Sequence, residues 1–341
     1  MNTLLVRNFR SFFVESRFIS LVVSIAVIAL RFLMFLKKGL PDFQISSTGF
    51  VWPYIEPVFQ KYPLVSFLSS TLSVFIISYL ISELNVRYGV IRMRTSMPFY
   101  VPLILFSVHP FFLRMTPDFP ALIFILWSLF PLLASYQYHH SHRCAYQFSA
   151  LIAIAGIFQI HALLFLPLWV IGLSAMGGLS FRSFIASIFG IILVYWIVFV
   201  FYVFGDNISG FIVPFQRLAE IYDFTQPSSL SVPQWGFIGL ILLFLFFIII
   251  ADGKQITRER SFTKKVLVFS ISVILVSFLL QTLYLNQTFI WLYVIISFFS
   301  IIAAHFYTNT TFRPEILSYF LVLILLAFYY CLNLFTDLSP F

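Results

Sequence analysis

The stretch "VIALRFLMFLKKGLPDF", residues 27–43, holds the question on which the fold turns. Arg31 sits inside an otherwise apolar run, Lys37 and Lys38 follow it, and Asp42 comes soon after. Followed outward, the run extends from Phe18 to Leu36. As an α-helix it would be about 28 Å long, close to the thickness of a bilayer's hydrocarbon core. The preceding "MNTLLVRNFRSFFVESR" is basic, and no small-residue cleavage pattern follows the run. It therefore reads as a retained first membrane span and not as a removable leader.

The composition of the 341 residues extends this reading to the whole chain: 61% are hydrophobic, 20% aromatic and only 9% charged. A soluble domain carries about 25% charged residues to cover its surface. Such a deficit is stable only where much of the surface meets lipid. The expected fold is therefore all-α, a polytopic transmembrane helical bundle forming a single integral membrane domain over 1–341, with no soluble domain. The net charge of +8 reads as basic loops that orient the chain, and nucleic acid is not an expected partner.

Hydropathy marks spans at 18–36, 63–84, 183–204, 235–251, 266–284, 287–307 and 315–335. Two shorter candidates, 97–113 and 117–134, are separated by "RMTP", and Pro110 and Pro117 forbid one continuous helix. The segment 147–176 is too long for one upright helix. If it enters and returns, the connections 1–17, 85–97, 135–146, 177–182, 252–265 and 308–314 fall on one side and hold fourteen of the 20 Lys and Arg residues. The other side holds Lys37, Lys38, Lys61, Arg114 and Arg217. A single crossing would instead put "DGKQITRERSFTKK" outside, against the positive-inside rule. The expectation is about eleven membrane passes, or nine plus a re-entrant hairpin at 147–176, with a cytoplasmic N-terminus. The turn would fall near "FQIH", at Gln159 and His161.

On this topology seven of the twelve acidic residues lie outside: Asp42, Glu56, Asp118, Asp206, Glu220, Asp223 and Asp337. Either outer loops merely lack orienting cations, or Asp42, Glu56 and Asp118 converge on an outward cavity as general base or metal ligand. Arg31 has two readings of its own. It snorkels to the outer interface, or it turns inward to grip a phosphate or carboxylate with its planar fork. His109 and His161 lie in or beside spans, where ionisable groups default to function. "YHHSHRC", residues 138–144, has zinc-type ligands but no second cluster on its side, so no metal and no cofactor are expected. Nucleotide-binding loops, nucleophile elbows and zincin helices are absent from the sequence.

The order "SELNVRYGVIRMRTSMPFYVPLILFSVHPFF", "GIFQIHALLFLPLWVIGL" and "SFRSFIASIFGIILVYWIVFVFYVFGDN" resembles an uncharacterised polytopic inner-membrane protein family of Bacteroidota. That resemblance implies the bacterial inner membrane and no particular activity. The "LPDF" turn with Asp42, the aromatic loop to Tyr62 and the "TPDF" turn with Asp118 resemble the plan of membrane glycosyltransferases that use polyprenyl-phosphate sugars. The second resemblance implies Asp42 or Asp118 as catalytic general base or metal ligand and Arg31 or Lys37 on the lipid phosphate; His109 and His161, singled out by their depth, are further candidate substrate contacts. Three functions follow as expectations. The first is a non-catalytic component of envelope biogenesis or export, with membrane lipids and other envelope proteins as partners. The others are a glycosyltransferase-like enzyme taking a lipid-linked sugar at the outer face, and a transporter of a small or lipidic substrate.

Overall fold

The computed structural model describes residues 6–7, 9–41, 49–137, 141–220, 232–284, 289–310 and 313–335. Among them the regular structure is helical, with no strand. In chain order the α-helices are α1 (Arg17–Lys38), α2 (Trp52–Lys61), α3 (Pro63–Tyr88), α4 (Met97–Leu105), α5 (Asp118–Ala134), α6 (Ser141–Phe158) and α7 (Leu166–Ala175). They continue as α8 (Phe181–Phe204), α9 (Ile208–Arg217), α10 (Val232–Arg258), α11 (Ser261–Leu283), α12 (Ile290–Thr308) and α13 (Arg313–Phe335). A π-turn at Arg10–Val14 precedes them, and 3-10 turns at Pro110–Leu113 and Ile160–Phe165 interrupt the series.

Local chemistry sets several boundaries. Gly39 and Gly89 end α1 and α3 at positive φ, which glycine adopts without strain. A reciprocal cap opens α8. The Ser183 backbone N–H donates to Ser180 Oγ at 3.2 Å, and the Ser180 N–H donates to Ser183 Oγ at 2.9 Å. Within 97–134 the helix stops at Leu105, well short of the span expected to reach residue 113. Pro110 and Pro117 supply no backbone N–H, so residues 106–117 take turns and a 3-10 segment before α5 begins.

Among the described residues, six helices are long and apolar enough to cross a membrane: Phe18–Lys38, Pro63–Tyr88, Phe181–Phe204, Ser261–Leu283, Ile290–Thr308 and Arg313–Phe335. Three shorter apolar helical stretches, Asp118–Ala134, Ile160–Ala175 and Trp235–Ala251, accompany them. This is fewer full-length crossings than the eleven expected. Four of the five missing crossings are the limbs of 97–134 and 147–176, each broken in the middle, and the fifth is the 17-residue apolar stretch Trp235–Ala251.

Burial sorts the helices radially. Every residue of α12 is buried, so this apolar helix is the axis of the bundle. Helices α1, α8 and α13 bury only 22% or less of their apolar windows. Their outward faces carry Phe18, Phe204 and Phe335, each at least 70% exposed. Apolar exposure on this scale is stable in lipid and not in water. The class of molecule is therefore an integral membrane helical bundle.

Polar contacts sort the connections axially. The Ser96 N–H donates to Val14 O at 3.3 Å, and Arg10 Nη2 donates to Thr310 O at 3.4 Å. Arg92 pairs with Glu259 at 2.9 Å, while Tyr136 and Tyr88 both pack on Phe262. The Gln137 N–H donates to Met176 O at 3.3 Å, and the Ser141 and Ser183 hydroxyls meet at 3.3 Å. These contacts collect all six Lys- and Arg-rich connections at one end of the bundle.

The same contacts show that the segment 147–176 leaves this basic end and returns to it, breaking at Gln159. Its limbs, α6 and the 3-10 turn plus α7, are each about 27 Å long. Cys144 lies in the first turn of α6 at the basic end, and Cys331 lies in the last turns of α13 near Lys37; both are free thiols.

Candidate functional site

The irregular segment 106–117 lies inside the bundle, at a depth where no water satisfies a bare backbone. Its carbonyls and amides must find partners within the protein. Arg31 satisfies two of the carbonyls. It is fully buried, and its Nη1 donates to Phe106 O at 2.9 Å. Its Nη2 donates to Phe112 O at 2.9 Å and to Ser70 Oγ at 3.0 Å, and Nε donates to Thr71 Oγ1 at 3.1 Å. Snorkelling is thereby excluded: the side chain turns inward. What it grips, however, is the protein's own backbone. The planar fork suits this task because it reaches two carbonyls of the segment, six residues apart, at once.

Helix α3 completes the scaffold. Its "SFLSSTLS", residues 66–73, presents hydroxyls one turn apart toward the break. Ser70 Oγ donates to Leu113 O at 2.6 Å, and Ser66 Oγ accepts the Met115 N–H at 2.9 Å. At the tip, His109 Nδ1 accepts the Phe111 N–H at 3.0 Å. That bond places the proton of a neutral ring on Nε2. The imidazole stacks on Tyr329 with ring centroids 5.9 Å apart. His109 thus shapes the turn and packs it against α13.

Asp118 opens α5 in the first turn, where the helix dipole favours a negative charge, and it is buried at 2% exposure. Tyr293 of α12 lies in the electrostatic field of both Asp118 and Arg31, and its hydroxyl meets Thr116 Oγ1 at 3.1 Å. The amphipathic helix α2 reaches the same segment through Glu56. Glu56 Oε1 lies 3.9 Å from Arg114 Nη2 and accepts from Gln60 at 3.1 Å. Arg114 belongs to the segment that leads into Asp118. A buried carboxylate is therefore held near a phenol whose hydroxyl meets a threonine, four residues from an arginine beside Glu56 of α2. That arrangement can accept a proton from a hydroxyl or bind a cation.

Of the residues singled out from sequence, Arg31, His109 and Asp118 gather around segment 106–118. Lys37 does not; it is exposed, with its ammonium 4.3 Å above the Phe335 ring. His161 lies at the tip of the 147–176 hairpin, fully buried against Tyr284 at 5.0 Å. Asp42, His139 and His140 fall outside the described residues. Among the described residues no group of three or more His, Cys, Asp or Glu side chains is placed to hold a metal.

Sequence reading passed over Tyr293, Thr116 and the serines of α3. Only the serine spacing carried a signal. The rim also includes the end of the first outer loop, where the Phe50 N–H donates to Ile157 O at 2.8 Å. Gly49 passes so close to Phe158 O that any Cβ would clash with it. Comparison with protein-family models, with characterised proteins and with solved structures finds no match.

Proposed function

We propose that this chain is an eleven-pass protein of the bacterial inner membrane, with its basic end in the cytoplasm, that transfers a sugar from a polyprenyl-phosphate carrier at the outer face. The observation that carries the reading is the buried Asp118 carboxylate at the head of a short helix, four residues after the Arg114 that lies beside Glu56 of α2. In the reaction Asp118 takes the proton of an acceptor hydroxyl. The acceptor oxygen then bonds to the anomeric carbon, and the carrier phosphate leaves with the bonding pair. Arg31 is a positioning residue in this scheme, because its fork already holds the backbone below the site. The eleven passes are α1, α3, the broken pairs 97–134 and 147–176, α8 and α10 to α13. Placement in the inner membrane rests on the Bacteroidota family resemblance, and the cytoplasmic N-terminus rests on the positive-inside rule.

A non-catalytic component of envelope assembly or export is the second reading. The commitment of the Arg31 fork to protein carbonyls favours it, because that guanidinium is then not offered to a carrier phosphate. Membranes carrying Asp118→Asn separate the two. The enzyme reading expects unchanged protein abundance and at least a hundredfold loss of sugar transfer from radiolabelled carrier lipid, on the scale of lost general-base catalysis. Transfer at the wild-type rate in that variant would sink it.

A further inference from the structure

On the flank where α6 and α8 run side by side, a groove of about 420 Å³ opens at the basic end of the bundle. Its walls are His142, Arg143, Tyr146 and Gln147 of α6, with Ala186 and Phe189 of α8. The spacing explains the shape. Positions 142, 143, 146 and 147 form one face of the first two turns of α6, and 186 and 189 form the facing ridge of α8.

Small residues bring the two helices together behind the groove. Gly190 lies against the Ser149 hydroxyl and the Tyr146 carbonyl, so tightly that no Cβ fits. Phe189, beside it, is 61% exposed and points outward. Arg143 is exposed, and none of the six wall residues is acidic. The result is an apolar slot along the lipid-facing surface with a cationic and hydrogen-bonding mouth at the level of the basic connections.

We propose that this groove binds one anionic phospholipid, its phosphate held at Arg143 and His142 and its upper acyl chain laid between Tyr146 and Phe189. The occupant follows from charge and shape together. A cationic mouth on the basic end meets a negatively charged leaflet. The apolar floor fits hydrocarbon and offers nothing to a soluble anion. This site is separate from segment 106–118 and does not depend on the catalytic reading.

Native mass spectrometry of the full chain in detergent, titrated with phosphatidylglycerol or phosphatidylcholine, tests the proposal. The wild type should retain one phosphatidylglycerol and discriminate against phosphatidylcholine. Arg143→Gln should weaken retention about fivefold, the effect of one basic residue at an anionic surface. Ala186→Phe fills the floor while leaving every charge in place, and it should also lower retention, with unchanged thermal unfolding as the control for folding. Equal retention by the wild type and Arg143→Gln, or equal retention of the two lipids, would overturn the site. So would unchanged retention in Ala186→Phe, which would mean surface charge without a groove. Displacement by inorganic phosphate at matched concentration would assign the mouth to a soluble anion and overturn the lipid.

Discussion

Arg31 shows how a costly residue is kept in a membrane helix. A charge at bilayer depth is tolerated when it faces the bundle interior and pairs with backbone carbonyls. Here the pairing runs to Phe106 and Phe112, two carbonyls of the irregular segment between α4 and α5. Replacing Arg31 with Met removes four hydrogen bonds and leaves buried carbonyls bare. We expect a loss of about 3 kcal/mol or more, since each unsatisfied buried group costs about 1–3 kcal/mol. Denaturant unfolding in mixed micelles measures it. A snorkelling arginine would give the opposite sign, because Met is the better lipid-facing residue. The anomaly of Arg31 was visible in sequence, but its partners were not. They are main-chain atoms 75 and 81 residues away, and main-chain atoms leave no trace in residue type. Asp118 was legible for a different reason: acidic residues are so few that each one draws notice.

At the scale of elements, breaks and close crossings matter more than the regular helices. The hairpin at 147–176 was readable because its length and the charge of its neighbours leave one consistent path. Its break at Gln159 is where the sequence places it. The end of α4 was misplaced by eight residues, since the run to 113 is apolar apart from Ser107 and His109 and hydropathy does not register a lost hydrogen-bond ladder. The α6–α8 crossing depends on Gly190 facing Ser149 and Tyr146. Gly190→Val should cost about 1–3 kcal/mol, the usual range for overpacking a tight interface. Thermal unfolding should reveal it as a lower midpoint, whereas the same change at Gly236, which has open space around its Cβ position, should leave packing intact.

For the whole molecule, the decisive pattern is that six basic connections meet at one end while α2, α9 and Asp118 occupy the other. In a background lacking Cys144 and Cys331, single cysteines at Arg182 and Ser209 report on it. A membrane-impermeant maleimide added to intact cells should modify position 209 and reach position 182 only after permeabilisation. Labelling in the reverse order would turn the proposed outer site to the cytosol. The amino-acid sequence by itself determined that this is a helical membrane protein and which connections share an end. Hydropathy and charge act along one coordinate, the bilayer normal, and every residue reports its own preference there. Only the tertiary structure decided that Arg31 holds a broken backbone, that α12 is the axis, and that Asp118 is buried near Tyr293. Those facts depend on which helices meet laterally, and in lipid that choice is made by side-chain fit and paired polar groups between segments far apart in the chain.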